Sequence, residues 1–152
     1  VATPTNTQFA VAVHVLTYLA GVGGAVLVSS EELSRSVDAN PVHVRRVLTP
    51  LRRSGMVTSQ PGARGGWMLT RPADSITLAE VWCLVQAGDP VLGLHGPNPS
   101  CPVGIDVQRA LVVIERQVAD AVETRLGTIT IADVLSDAAK SAVDSQAAPH
   151  GN

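Results

Sequence analysis

Seven arginines, Arg35, Arg45, Arg46, Arg52, Arg53, Arg64 and Arg71, fall within residues 35–71 and supply most of the chain's eleven basic side chains. Asp38 is the only one of thirteen acids in that window, so it carries a net charge of +6 inside a chain whose formal charge is −2. Guanidinium groups concentrated in this way suit phosphates, because the attraction acts over about 10 Å at moderate salt. An arginine can also bond a guanine edge bidentately. The chemistry on offer is recognition of a polyanion.

Other chemistries find less support. Cys83 and Cys101 are too few for a disulfide scaffold and lack the CxxC spacing of a structural zinc site. A reducing cytoplasm fits them best. Cys101 precedes Pro102 at the expected start of a long helix, and a helix N-terminus favours thiolate, which makes it the sensor candidate. The alternative for Cys101 is a small residue packed at a helix entrance. Cys83, between Trp82 and Leu84, is expected in the core. The four histidines share no ligand spacing, and His14, on an apolar helix, is expected to be a satisfied core residue. No metal site or cofactor is expected, and an iron–sulphur cluster would have to use Cys83, Cys101 and a histidine or carboxylate. No nucleophile–base pair or phosphate loop is present, which argues against an enzyme. One Phe, one Tyr and two Trp leave little for an aromatic-lined pocket or a base-stacking platform.

The elements that must position the arginines can be read from periodicity and capping. Phe9 to Val28 carries no charge apart from His14 and could span a bilayer. No basic residue precedes it, however, and Gly21, Gly23 and Gly24 divide it, so a core helix over about 6–21 and a brief strand at Ala25–Val28 are expected, with no membrane contact. Ser29 and Glu32 form a capping box for a helix from Ser30 to Val37, with Leu33 and Val37 inward. Asp38-Ala39-Asn40 makes a turn, and Asn40 then caps a helix whose first residue is Pro41. In that helix Val44, Val47/Leu48 and Leu51 face inward, leaving Val42, His43, Arg45, Arg46 and Thr49 outward. Pro50 is expected to kink or break it near Thr49. Gly55 stops it.

Met56–Gln60 and Trp67–Thr70 read as strands around a glycine-rich loop, and Thr77 and Glu80 as a second capping box. A loop at 89–100 leads to a helix from Pro102 to about Leu126, whose Val107, Leu111, Ile114, Val118 and Ala121/Val122 follow the 4-3-4-3 spacing of a helix seam. A last helix is expected near Ile129–Ala139. The fold expected is mainly α with a small β-wing: a winged helix-turn-helix plus a long C-terminal dimerisation helix. Residues 6–72 form the DNA-binding unit, 73–140 a helical sensor and dimerisation region, and 141–152 a disordered tail.

This order places the second helix of the winged unit in a major groove. Arg45 and Arg46, in its first turns, are the candidate base readers, with phosphate contact as the alternative. Asn40, Val42 and His43 are secondary, since capping and packing account for the first two. Arg52 and Arg53 suit either phosphates or the helix dipole. Arg64, with Gly65 at the wing tip, suits a minor groove or a solvated turn.

The stretch LRRSGMVTSQPGARGGWMLTRPADSITLAEV, followed by CPVG, a long helix and TITIADVL, resembles the winged-helix bacterial regulators that include IscR, NsrR and CymR, the Rrf-two family, over roughly residues 8–138. The resemblance implies a homodimer joined through residues 102–126 and helix 1, double-stranded DNA with an imperfect palindrome as its partner, repression as the usual outcome, and a sensor around residues 89–104. The chain departs from the pattern in two places. Cluster-binding members carry three close cysteines where this chain has Cys101 alone. Pro61 stands where a basic residue often precedes the first wing glycine, a role Arg64 can take. A winged-helix module that docks proteins without touching DNA is the rival reading.

Overall fold

A computed structural model describes residues 7–86 and 88–147. Helix α1 (Gln8–Gly21) buries Ala12, Val15, Leu16 and Leu19, the 3-4-7 spacing of one helical face. His14 lies on the opposite side, exposed, with Nε2 2.9 Å from Ser36 Oγ. It is satisfied, as expected, but it is not a core residue. The strand expected at Ala25–Val28 reduces to a single bridge: the Val28 amide donates to the Trp67 carbonyl at 2.9 Å, and the Trp67 amide donates to the Val28 carbonyl at 2.8 Å.

Helix α2 (Ser30–Val37) begins where Ser29 Oγ accepts the Glu32 amide at 3.1 Å. Only half of the capping box closes, because the Glu32 carboxylate accepts the Tyr18 hydroxyl at 2.6 Å instead. That bond, more than burial, pushes the Tyr18 phenol above its usual range. Asp38 adopts left-handed backbone (φ 50°) and turns the chain into α3 (Pro41–Arg53). Asn40 Oδ1 accepts the Val42 amide at 2.8 Å, and Val44, Val47, Leu48 and Leu51 are all buried, as their spacing requires.

Of the kink or break expected near Thr49, the break does not occur: α3 continues to Arg53. Pro50 lies in the last turn, so its missing amide removes one bond near the end, and the fully buried Leu51 holds that turn to the core. Beyond it Gly55 (φ 79°) closes the helix. The Met56 amide reaches the Leu51 carbonyl and the Gly55 amide the Arg52 carbonyl, both at 3.0 Å, which is a Schellman motif.

Strands β1 (Val57–Gln60) and β2 (Gly66–Leu69) pair antiparallel, with Val57 opposite Leu69 and Gln60 opposite Gly66. Val57, Trp67 and Leu69 turn into the core. A 3-10 turn (Ala73–Ser75) leads to α4 (Leu78–Gln86), where the second capping box closes in full. Glu80 Oε2 accepts the Thr77 amide at 3.0 Å, and the Glu80 amide donates to Thr77 Oγ1 at 3.3 Å. Helix α4 buries Leu78, Val81 and Val85, while Trp82 meets Phe9 edge to face at 5.3 Å. Cys83 is exposed, contrary to the core position expected. Two residues beyond Val81 is about 200° of helical rotation, which points it away from the buried face.

Helix α5 (Pro102–Leu126) buries none of its residues, and α6 (Ile131–Ala147) is pinned by the fully buried Ile131, whose amide donates to the Ile76 carbonyl at 3.0 Å. Helix α6 runs on through residues 141–147, which were expected to be frayed. Its first turn is capped by Thr130 and Asp133, and its length is not limited by any Gly or Pro before Ala147. The expectations for residues 1–6 and 148–152 lie outside the described residues. Among the described residues no helix is long and apolar enough to cross a membrane.

Candidate nucleic-acid interface

The capped start of α3 and its Schellman end fix the helix beside the wing. Arg45 and Arg52, two turns apart on one face, line a cleft bounded by the wing residues Ser59, Gln60 and Gly62 and by Ser29, Ser30 and Glu31 at the start of α2. Arg52 Nη1 donates to Ser59 Oγ at 3.3 Å, which ties it to β1. Val42, Arg46 and Arg53 follow a neighbouring stripe, each exposed. Arg64 is exposed in the wing loop.

Among the described residues the ion pairs are Arg71–Glu80, Arg109–Asp106 and Lys140–Asp137. Arg45, Arg46, Arg53 and Arg64 therefore face solvent without a carboxylate partner. Arg71 is spent differently from the rest of the cationic window: it meets Glu80 at 3.1 Å and donates to the Ser75 carbonyl at 2.5 Å. It braces the wing base. The Thr77 amide first, and Arg71 after it, hold the Glu80 carboxyl below its ordinary range.

The remaining sequence candidates divide between reader and scaffold. Asn40 spends its carbonyl oxygen as the helix cap but stays exposed, and His43 is half-buried. Val42 is not packed away: it is 60 % exposed. Gly65 serves the wing backbone. A Cβ there would stand 2.0 Å from the Gln60 carbonyl oxygen, and its amide closes the loop onto the Gly62 carbonyl at 3.0 Å. Two residues escaped the sequence reading. Trp67 donates its indole Nε1–H to Ser30 Oγ at 3.0 Å, joining the wing to α2, and Ser59 holds Arg52. The strand alternation that buries Trp67 was visible in sequence, but its long-range partner was not.

At the other end of the chain Cys101 is the N-cap of α5, exposed, its Sγ accepting the Gly104 amide at 3.4 Å. The loop before it is held on α5 by Glu115, whose two carboxylate oxygens accept the Val91 and Leu92 amides, each at 2.6 Å. Cys83 lies by Glu123, and the thiol is pushed up by partial desolvation first and then by that carboxylate. It is a poor source of thiolate.

Over residues 5–137 the sequence matches the family model described as Rrf2, iron-dependent transcriptional regulator. It is 36 % identical over 132 residues to YwnA of Bacillus subtilis, named as an HTH-type transcriptional regulator, covering 86 % of this chain and 96 % of that one. A crystallised protein of Lactobacillus plantarum, described as a transcriptional regulator, superposes with a TM-score of 0.74 at 25 % identity, covering 88 % and 90 % of the two chains. CymR of B. subtilis, the global cysteine regulator, shares the fold with a TM-score of 0.63 at 22 % identity, over 88 % and 97 %. The family description implies iron. Among the described residues no three His, Cys, Asp or Glu side chains gather to hold a metal ion, so the described donors do not fit one.

Proposed function

We propose that this chain, which belongs to the Rrf2 family of transcriptional regulators, represses transcription as a homodimer on an imperfect palindrome. DNA binding and regulation of transcription come with the family, which is not a family of enzymes. The observation that carries the reading is the set of exposed, unpaired guanidiniums of Arg45, Arg46, Arg53 and Arg64 on the second helix and the wing. Cations without internal partners are available to phosphates and base edges, and a helix-turn-helix presents its second helix to the major groove. DNA as target puts its work in the bacterial cytoplasm.

The dimer rests on α5. Val107 is 46 % and Ile114 44 % exposed on a helix with no buried residue, while Leu111, Val118 and Val122 are half-buried, so the apolar seam is partly open in a single chain. Burying such a seam between two antiparallel or crossed copies is the ordinary use of the pattern. Helix α1 adds Phe9 and Val13, each partly open, to the same interface. Exposure of Cys101 at the start of α5 supports a redox role: its thiolate takes an oxygen atom from hydrogen peroxide, forming a sulfenic acid and releasing hydroxide.

Selection of bound fragments from random duplex DNA tests the reading. The expected result is an enriched two-fold motif whose half-sites lie one helical turn or a multiple apart, bound by a protein that light scattering finds dimeric. Equal binding to all duplexes, even at low salt, overturns it in favour of a protein-docking module. For the sensor, peroxide should weaken binding by the wild type and leave Cys101→Ser unaffected; equal responses in the two remove the thiol from the mechanism.

A further inference from the structure

Helix α3 spends its aliphatic residues inward, with Val44, Val47, Leu48 and Leu51 no more than 1 % exposed. Val42 breaks that rule at 60 % exposed, on a surface otherwise built of arginines. Nothing in the fold requires a valine there. Asn40 Oδ1 already receives its amide, Pro41 already sets the first turn, and a β-branched residue has no advantage at an open helical position. The position is nevertheless well defined. The cap and the proline fix the backbone, and a helical valine has one strongly preferred rotamer, so its two methyl groups are held in one place.

That place is the N-terminal turn of the second helix, whose residues approach base edges in the major groove. The apolar feature in that groove is the thymine 5-methyl group. Arg46 lies one turn further along the same face, about 6 Å up the axis, which spans roughly two base-pair steps. We propose that Val42 is a specificity-determining residue that packs on a thymine methyl in each half-site, beside a guanine bonded by Arg46. The inference rests on the DNA-binding reading above and adds the base class that this residue selects.

The test uses the full-length protein and the duplex it enriches from random DNA, with each thymine replaced in turn by deoxyuridine, which lacks only the methyl. One thymine per half-site should be sensitive. Its replacement should weaken wild-type binding about fourfold, the loss of one buried methyl-sized contact of roughly 0.8 kcal/mol. Val42→Ser and Val42→Asn, which put a polar group where the two methyls stand, should bind the thymine and deoxyuridine duplexes with nearly equal affinity. Position 42 is exposed, so both variants should keep the wild-type melting temperature. If no thymine is sensitive, or if Val42→Ser still discriminates as the wild type does, the proposal is overturned while DNA binding stands. If no duplex is enriched at all, both readings fall together.

Discussion

The contrast between Arg53 and Arg71 gives the most direct test of how the cationic window is used. Both are arginines within the same stretch, but Arg53 ends α3 unpaired and Arg71 is engaged by Glu80 and the Ser75 carbonyl. With Arg46 on a base edge, Arg45, Arg52, Arg53 and Arg64 contribute, if each neutralises one phosphate, about eight contacts in the proposed dimer and a slope of log affinity against log salt near −7. Arg53→Ala removes two of these contacts, one per protomer, so the slope should flatten by about 1.8. Arg71→Ala should leave the slope unchanged and lower stability instead. With side chains 35 % and 40 % exposed, that pair is screened and contributes no more than about 1 kcal/mol. Fluorescence anisotropy from low to moderate salt measures the slopes, and urea unfolding measures the stabilities. An unchanged slope in Arg53→Ala, or an equal flattening in Arg71→Ala, would refute the division into reading and bracing arginines.

Three further outcomes follow from the geometry. Gly65→Ala should destabilise the protein by about 1–3 kcal/mol in thermal unfolding, since its Cβ would collide with the Gln60 carbonyl and force the wing loop to move. Ile114→Glu, placed in the proposed α5 interface, should convert a dimer to a monomer in light scattering and leave helical content unchanged, because one chain does not bury that residue. Glu80, whose folded pKa is depressed chiefly by the Thr77 amide, contributes stability above its ordinary value of 4.5, and this is lost as pH falls through the lower folded value. The stability gap between wild type and Glu80→Gln should therefore be constant near neutrality and close in acid; a gap that widens in acid would contradict the assignment.

What sequence could and could not reveal follows from the range of the interactions. Asn40 with Pro41, and Thr77 with Glu80, act within three or four residues, so their caps were readable and form as expected. The inward face of α3 was equally legible, because a single helical period fixes it. Glu32 looked like a local capping partner and turned to Tyr18 on another helix; Arg71 looked like part of the binding charge and found Glu80. Competition between a near and a distant partner is invisible until the chain is folded. The exposure of Cys83 was, by contrast, available from its offset to Val81 and Val85, and packing it between Trp82 and Leu84 confused neighbours in sequence with neighbours in space. The Glu115 grip on Val91 and Leu92 left no sequence signal, since backbone amides carry no residue identity.

Trp67 has an effect on the duplex as well as on the protein. Hydrogen-bonded to Ser30 through its ring and to Val28 through its backbone, it leaves the hairpin little freedom to swing against the helices. A stiff two-pronged clamp adjusts its span little, so any mismatch with the spacing of the grooves falls on the double helix. Operators with pliant TA or CA steps between the contacted bases should then outcompete those with rigid A-tracts there, even when every contacted base is the same.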